Sequence, residues 1–238
     1  MIGSSEIQNS EIDVTQAKRK LRAQVISKRD AMCENDRIAK SNEACNRLFS
    51  LARQFAESPA LSNQNNSHTP ISTTQSADPC DNRTANPFTV AVYAGMGSEL
   101  CLDAFIAAAY GAGWRVAFPC MNPKGSTPRM CMRHVSREAW LAHMVPFIEK
   151  PLVRFDIKCT TLADFPVICP QDINFVAAPL VAFDGQGFRL GYGGGNYDEY
   201  LDLLDPRALV AGVAFNEQCV SEVPREPHDK MLNTIVCA

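Results

Sequence analysis

The chain has 238 residues with 23 basic and 26 acidic side chains, so its formal net charge at neutral pH is −3. Apolar residues make up 46% and charged residues 21%, which is ordinary for a globular domain and excludes collagen-like and wholly disordered chains. This charge balance argues against nucleic acid as a partner, and no run of about 18 apolar residues predicts a membrane span. At about 150 residues per domain, the length fits one large domain.

The start of the chain and its cysteines indicate a reducing compartment. The first residues lack the basic and then apolar order of a signal peptide, so we expect a cytoplasmic protein. Ten cysteines are scattered along the chain and form no C-x-x-C pair. In a reducing compartment such cysteines are mostly small buried side chains, so we assign them neither disulfides nor a metal.

The first helix is predicted from Val14 onward. Residues 1–13 are polar and carry no pattern, so we expect a disordered N-terminus there. Beyond it, with Thr15 as the N-cap, apolar residues recur at steps of three, four and seven, which is typical of an amphipathic helix. The predicted apolar stripe consists of Val14, Ala17, Leu21, Val25 and Met32.

Three cations lie along one edge of this helix. Lys18, Arg22 and Arg29 are offset by four and seven residues, so they fall within about 40° of arc beside the apolar stripe. One interpretation is a solvated basic edge that flanks a buried face. The other is a clamp for a polyphosphate, and the pattern alone does not decide between the two.

A second helix and a low-complexity segment follow. Periodicity predicts a helix over residues 34–54, and the candidates for its buried side are Ile38, Ala44, Leu48, Leu51 and Phe55. Residues 57–87 are dominated by Ser, Thr, Asn, Gln and Pro. Such a composition buries too little surface to offset chain entropy, so we expect a mobile insertion within a single domain of residues 14–238.

Short apolar strands alternate with helices after the insertion. Strands are predicted at 89–93, 115–118, 175–178, 180–183 and 209–215, and helices at 102–112 and 198–204. Pro119 is expected to stop the second strand. This alternation predicts an α/β fold with a mostly parallel sheet flanked by helices, a Rossmann-like three-layer arrangement with an N-terminal helical segment.

Residues 182–198 carry the most chemical information, because they contain six of the 13 glycines. The segment lies between a predicted strand and a predicted helix, where parallel sheets bind ligands and backbone N–H groups hold anions. Arg189 is suited to phosphate and Asp198 to Mg²⁺, although a flexible turn is the alternative. The pattern is neither the dinucleotide-binding fingerprint nor a P-loop. The residues alone thus indicate a phosphate loop with a metal carboxylate, and no particular reaction.

The order of several motifs resembles one enzyme family, the 5-formyltetrahydrofolate cyclo-ligases, also called 5,10-methenyltetrahydrofolate synthetases. The motifs that carry the resemblance are residues 183–184, 189–198, 212–215 and 224–229. Lys18, Leu21 and Arg22 resemble the family's opening helix, and residues 93–99 its first strand and substrate loop. The resemblance covers most of the chain, but residues 57–87 and 140–170 have no counterpart in it.

The resemblance implies a reaction that needs ATP and Mg²⁺. In that family, 5-formyltetrahydrofolate is converted to 5,10-methenyltetrahydrofolate with release of ADP and phosphate. An N-formyl oxygen is a poor leaving group, so it first takes the γ-phosphoryl group to form an imidate phosphate. N10 of the folate then attacks the activated carbon, the ring closes and phosphate departs. The protein would mainly position the reactants and neutralise charge.

The resemblance also implies roles for individual residues. Those implied to bind ATP are Lys18, Arg22, Arg189, Leu190, Gly191, Tyr192, Gly193, Gly194, Gly195, Asn196 and Tyr197, with Arg29 as a further candidate. Those implied to bind the folate are Met96, Glu99, Asn196 and Tyr197. Arg189 and Tyr197 are the implied catalytic residues, and Asp198 and Asp229 the implied magnesium ligands. Asn196 departs from the family, many members of which carry an aromatic residue at that position.

Other interpretations stay open at this point. The same phosphate loop would serve a small-molecule kinase or a sugar-phosphate enzyme, and a protein that binds folate without turnover is a third possibility. Glu99 would also suit the first turn of a helix, where an acidic side chain is stabilised by the helix dipole. Under the family interpretation we expect a monomer whose partner is 5-formyltetrahydrofolate, with or without a polyglutamate tail.

Overall fold

A computed structural model describes residues 4–58, 87–156, 159–226, 229, 231–232 and 234–238, with the backbone alone for residues 4–13. The helices are α1 (Ser4–Asp30), α2 (Glu34–Ala56), α3 (Asp103–Gly111), α4 (Arg137–Leu141), α5 (Pro146–Glu149) and α6 (Asn196–Leu201). Short 3₁₀ helices cover Thr160–Leu162, Pro170–Asp172 and Asn216–Gln218. The strands are β1 (Thr89–Ala91), β2 (Arg115–Met121), β3 (Met130–Val135), β4 (Val167–Ile168), β5 (Phe175–Pro179), β6 (Ala182–Asp184), β7 (Arg189–Leu190), β8 (Leu209–Ala214), β9 (Cys219–Val220) and β10 (Thr234–Cys237).

Seven strands form the main sheet, in the order β10-β8-β5-β1-β2-β3-β4. The five strands from β10 to β2 are mutually parallel, and β3 and β4 add an antiparallel edge. Successive residues of a strand point to opposite faces of a sheet, and here both faces are buried. In β5, Phe175 and Ala177 join one hydrophobic cluster while Val176 and Ala178 join another. Burial on both faces explains why the parallel strands have continuous apolar runs, and the predicted α/β fold class is confirmed.

A small second sheet extends the fold beside the carboxyl end of β5. It consists of β7, β6 and β9, in that order. Val25 of α1 packs against Val181, Ala182 and Leu190 of this region. The apolar stripe of α1 therefore covers the second sheet, and this contact brings the basic edge of α1 alongside the glycine-rich segment that follows β7.

The N-terminal helix is longer than the sequence pattern predicts. It begins at Ser4 rather than at Val14, so Thr15 lies inside the helix instead of at its N-cap, and residues 4–13 have a helical backbone rather than the expected disordered one. The prediction relied on apolar periodicity, which these polar residues lack. Glu, Gln and Ser are compatible with a helix, and neither Pro nor Gly occurs between Ser4 and Asp30 to interrupt it.

Two further predictions about elements need correction. Pro119 does not stop β2, which continues to Met121. Asn122 donates its amide hydrogen to Arg129, and only alternate residues bond across an antiparallel ladder, so Pro119 stands at a position where β3 requires no N–H. On α2, Ala44 and Leu48 are buried as predicted, but Ile38 is exposed, since it lies outside the face that packs on the sheet.

Several other expectations receive only a partial answer. The predicted insertion at 57–87 falls, apart from residues 57, 58 and 87, outside the described residues. The nine cysteines in the described part of the chain are free thiols, and four of them are exposed, so the expected burial applies to only some of them. None of the helices in the described ranges has the length and hydropathy needed to cross a membrane.

Candidate active site

The glycine-rich segment forms a tight turn between β7 and α6. Gly193 and Gly195 have φ angles of 92° and 67°, a region that residues with a Cβ rarely adopt. No described residue accepts a hydrogen bond from the amides of Gly193, Gly194 or Gly195. We call residues 191–195 the glycine turn. N–H groups that have no acceptor in the described part of the chain make it a candidate anion site.

Two cavities meet at the glycine turn. One, of about 190 Å³, is polar, and its charged residues are Lys18, Arg22, Arg189, Asp198, Glu226 and Asp229. The other, of about 310 Å³, is mainly apolar, and its lining includes Tyr93, Met96, Glu99, Met121, Met130, Leu152, Tyr192, Asn196 and Tyr197. Arg189, Asp198 and the glycine turn line both cavities. The turn is therefore a shared wall between a charged chamber and an apolar one.

The basic edge of α1 is not a solvated surface. Lys18 is only 8% exposed, and its ammonium group donates to Glu226 Oε2 at 2.5 Å and to Asp229 Oδ2 at 2.6 Å. Burial alone would lower the pKa of Lys18, but these two carboxylates outweigh it and raise the pKa. Arg22 donates from Nε to the Gly191 carbonyl at 2.7 Å. Both side chains line the polar cavity, as a phosphate clamp requires.

Arg29, the third cation of this edge, takes a different position. It is buried, and it donates to Ser98 Oγ and to the Tyr192 hydroxyl, both at 2.9 Å. It does not line the polar cavity. Arg29 therefore ties the glycine turn and the 96–99 loop to α1 instead of facing phosphates. Burial and the charge of Glu99 raise the pKa of Tyr192 to about 12, so its hydroxyl stays protonated.

Arg189 is held where the two cavities join. Its side chain is 7% exposed and forms an ion pair with Asp198, whose carboxylate is largely exposed. Buried Asp184 organises the approach to this position, because it accepts hydrogen bonds from the amides of Gln186, Phe188 and Val223 at 2.9–3.1 Å. Those bonds join the β6–β7 hairpin to the 223–229 segment. One buried carboxylate thus holds together the two chain segments that border the polar cavity, the β6–β7 hairpin and the segment that begins at Val223.

The donor set of the polar cavity fits a nucleotide-bound Mg²⁺. Asp198 and Asp229 both line it, together with Glu226, for which the sequence analysis gave no role. Within the described residues, no three His, Cys, Asp or Glu side chains form a preassembled metal cluster. Mg²⁺ commonly takes one or two protein carboxylates and completes its shell with water and substrate phosphates. The carboxylates present meet that requirement without a third protein ligand.

The apolar cavity contains the residues expected to bind folate. Glu99 accepts from the Met96 amide at 2.7 Å, which holds its carboxylate in the loop after β1. The Tyr197 hydroxyl is buried and has no hydrogen-bond partner among the described residues. Burial and the charge of Glu99 raise its pKa, so the phenol is a neutral donor. Asn196 donates from Nδ2 to Met121 Sδ at 3.9 Å and faces this cavity.

Most of the predicted site residues come together at these two cavities. Apart from Arg29, every residue implied to bind ATP, folate or Mg²⁺ lines at least one of them. Leu190 contributes to the polar cavity while its buried side chain packs in the cluster with Val25. His228, within the 224–229 motif, lies outside the described residues. Asp184 and Glu226 both lie in quoted motifs, but nothing local reveals their partners.

Comparisons with known proteins identify the family of the chain. The sequence model of the 5-formyltetrahydrofolate cyclo-ligase family matches residues 81–238. The chain belongs to this family. The match includes the whole glycine turn and both sheets. Helix α1, which supplies Lys18 and Arg22, and helix α2 precede the matched residues. The expected family resemblance is confirmed.

Relatives with this family name are moderately similar. A 5-formyltetrahydrofolate cyclo-ligase from Escherichia coli is 28% identical over 149 residues, which cover 62% of this chain and 76% of the relative. One from Mycoplasma genitalium is 39% identical over 70 residues, but these span 29% of this chain and only 42% of that protein.

Solved structures share the fold. A 5,10-methenyltetrahydrofolate synthetase from Mycoplasma pneumoniae superposes with a TM-score of 0.60 at 19% identity, covering 92% of this chain and 97% of that one. One from Aquifex aeolicus gives a TM-score of 0.58 at 21% identity, with 92% and 89% covered. The N-terminal helices are thus part of a fold that extends over nearly the whole chain.

The backbone of the glycine turn can be tested by two matched substitutions. Gly193→Ala should destabilise the protein by about 1–2 kcal/mol, because alanine is strained at a φ of 92°. The added methyl would also lie 3.3 Å from the Arg22 guanidinium. Gly191→Ala, with open space and no positive φ, should change the free energy of unfolding by no more than about 0.5 kcal/mol. Urea denaturation measures both, and equal losses would contradict the role assigned to Gly193.

Proposed function

We propose that this chain catalyses the ATP- and Mg²⁺-dependent cyclisation of 5-formyltetrahydrofolate to 5,10-methenyltetrahydrofolate, with release of ADP and phosphate. Membership of the cyclo-ligase family supports the folate substrate and the ligase reaction. The observation that carries the residue roles is the shared wall, since Arg189 and the glycine turn face a charged and an apolar cavity at once. A reaction that transfers a phosphoryl group to the formyl oxygen of a reduced pterin needs such a junction.

The polar cavity is the part of the site suited to the nucleotide phosphates. Lys18, Arg22 and Arg189 supply positive charge there, and the amides of the glycine turn supply neutral donors. Charge on the transferring phosphoryl group is spread over its oxygens, so fixed donors and cations stabilise it without reorganising. ATP with Mg²⁺ supplies the phosphoryl group, and Asp198 and Asp229 are the carboxylates that would hold the metal ion. Asp229 is already paired with Lys18, and Asp198 with Arg189. On binding of the magnesium nucleotide, each carboxylate would be shared between its cation and the metal ion.

The apolar cavity is the part of the site suited to the reduced pterin. Three methionines, Met96, Met121 and Met130, line it, and thioethers adapt to the faces of a flat heterocycle. Glu99 offers a carboxylate for the N–H groups of the pterin edge. The Tyr197 hydroxyl, which has no partner among the residues that the structure describes, offers a neutral donor that gains one when an oxygen acceptor binds. The formyl oxygen of the substrate is such an acceptor.

The reaction then balances in two steps. The formyl oxygen takes the γ-phosphoryl group and ADP leaves, which turns a poor leaving oxygen into phosphate. N10 of the folate attacks the formyl carbon, loses its proton, and the C–O bond breaks to release phosphate that carries the former formyl oxygen. The residues of this chain orient both reactants and neutralise charge, and Arg189 lies where both reactants meet.

The rival interpretations fit the site less well. A sugar-phosphate enzyme needs polar groups to bind several hydroxyls, whereas Met121, Met130 and Leu152 make much of the second cavity apolar. A protein that only stores folate would have no use for the carboxylate and cation pairs of the polar cavity. The cytoplasmic location, the monomeric state and a polyglutamate tail on the substrate stay predictions.

The activity itself is tested by a spectroscopic assay. Purified protein with 5-formyltetrahydrofolate should form the near-ultraviolet chromophore of the methenyl product only when ATP and Mg²⁺ are both present, with one ADP released per product. ADP release without the chromophore would support a kinase instead. Tight folate binding without ADP release would identify a binding protein.

Arg189→Ala should lower kcat by a factor on the order of 10²–10³, by analogy with the loss of one donor at a developing charge. The structural reason is that Arg189 is the cation that lines both cavities. Arg207→Ala, which removes an exposed arginine paired with Asp205, is the matched control and should keep wild-type kinetics. A wild-type kcat in the Arg189 variant would refute its role.

Asp198→Asn and Asp229→Asn should raise the Mg²⁺ concentration that gives half-maximal rate by about tenfold or more, since even outer-shell partners of a metal contribute that much. Asparagine keeps the shape and one acceptor oxygen for Arg189 or Lys18, so the cations stay in place. Asp172→Asn, an exposed carboxylate outside both cavities, serves as control. An unchanged Mg²⁺ titration would reassign the substituted aspartate to holding its cation.

A further inference from the structure

The glycine turn has an attachment that no sequence motif reveals. Arg129, just before β3, donates from Nη1 to the Gly194 carbonyl at 2.6 Å. A Cβ placed on Gly195 would lie 3.1 Å from the same nitrogen, so the guanidinium lies directly against the turn. Arg129 itself lines neither of the two cavities. It therefore contacts the turn from the outside, from the edge of the main sheet.

Arg129 is itself fixed by the helix that follows the turn. Glu199 of α6 accepts from the Arg129 amide at 3.2 Å, and its carboxylate is 3.6 Å from Arg129 Nε. The Glu199 amide in turn donates to the Gly195 carbonyl at 3.1 Å. On its other side the Arg129 carbonyl accepts from Asn122 at 2.9 Å. These contacts close a ring that joins the β2–β3 hairpin, the glycine turn and α6.

The direction of the Gly194 carbonyl determines what the turn offers to a ligand. In a trans peptide the C=O and the following N–H point in opposite directions. Because the Gly194 carbonyl points to Arg129, the Gly195 N–H points away from the hairpin. Glycine on both sides leaves this peptide free to rotate unless something outside it fixes the carbonyl. Arg22 fixes the other end of the turn at the Gly191 carbonyl, at 2.7 Å.

We propose that Arg129 is a positioning residue that presets the Gly194–Gly195 peptide for phosphate binding, with Glu199 as its anchor. The proposal rests on the assignment of the glycine turn to nucleotide phosphates. Fixing the peptide before binding removes part of the ordering cost that the nucleotide would otherwise bear. The pair acts mainly on nucleotide affinity, because neither side chain lines the apolar cavity and the groups expected to bind folate there, Glu99 and Tyr197, belong to other contacts.

The test measures binding without turnover. Adenylyl imidodiphosphate, a non-hydrolysable ATP analogue, is titrated with Mg²⁺ into wild type, Arg129→Gln and Glu199→Gln by calorimetry. Loss of one hydrogen bond to a charged donor should raise the Kd for the analogue by about three- to tenfold in Arg129→Gln and less in Glu199→Gln. Arg129→Lys, which keeps the charge but not the fork of donors, should fall between wild type and Arg129→Gln.

Two controls separate positioning from general damage. Arg154→Gln removes a neighbouring exposed arginine that donates to the Asn122 carbonyl and lines neither cavity, and it should leave the Kd unchanged. The Kd for 5-formyltetrahydrofolate alone should change less than about twofold in every variant. An unchanged Kd for the analogue in Arg129→Gln would overturn the proposal. So would an equal weakening of both ligands together with a lower melting temperature, because that result indicates a structural role.

The outcome also separates this proposal from the proposed function. If wild type binds the analogue but makes no methenyl product, the cyclo-ligase function fails while Arg129 is still tested by the Kd values. If the analogue does not bind wild type at all, the turn is not a phosphate site and the role of Arg129 is overturned with it.

Discussion

The geometry of the glycine turn is the constraint on which the rest of the site depends. Gly193 and Gly195 adopt positive φ angles, and the turn leaves three amides without an acceptor among the described residues. A side chain on Gly193 would be strained and would press on Arg22. The same short segment borders both cavities, so one piece of backbone forms part of the phosphate side and of the pterin side. Three arginines hold the glycine turn in place. Arg22 donates to the Gly191 carbonyl, Arg29 to the Tyr192 hydroxyl and Arg129 to the Gly194 carbonyl.

The charged side chains of the polar cavity form ion pairs, which offset the free-energy cost of burying cations within the fold. Lys18 is paired with Glu226 and Asp229, and Arg189 with Asp198. Burying an unpaired charge is costly, whereas a paired and hydrogen-bonded one is tolerated. The carboxylates that compensate these cations are also the oxygen donors that Mg²⁺ prefers. A magnesium nucleotide could thus replace pairs within the protein by equivalent pairs with its phosphates and metal.

Local pattern was sufficient to predict a good part of this molecule. Buried parallel strands have continuous apolar runs, so the α/β class followed from the segments around Val90, Val176 and Val210. The spacing of Lys18 and Arg22 placed them on one edge of a helix, but only packing of Val25 on the second sheet shows which way that edge faces. The antiparallel edge strands β3 and β4 were missed, because Arg133 and His134 interrupt the apolar residues of β3 and because β4 is only two residues long.

Contacts between distant segments could not be predicted from the sequence. Arg129 and Gly194 are 65 residues apart, and nothing around Arg129 distinguishes it from any other exposed arginine. Arg29 shared its helix edge with Lys18, yet it bonds Ser98 and Tyr192 because the 96–99 loop occupies that part of the edge. Residues 4–13 lacked apolar periodicity and were wrongly expected to be disordered. In each case tertiary contact or intrinsic helix propensity outweighed the local signal.

The most direct measurement is a crystal structure with adenylyl imidodiphosphate, Mg²⁺ and 5-formyltetrahydrofolate bound together. The account predicts the terminal phosphoryl group within hydrogen-bond distance of Arg189 and the amides of residues 193–195, and the formyl oxygen facing the γ-phosphorus from the cavity lined by Glu99 and Tyr197. Nucleotide phosphates bound away from this turn, or a pterin ring in the chamber lined by Lys18, would contradict it.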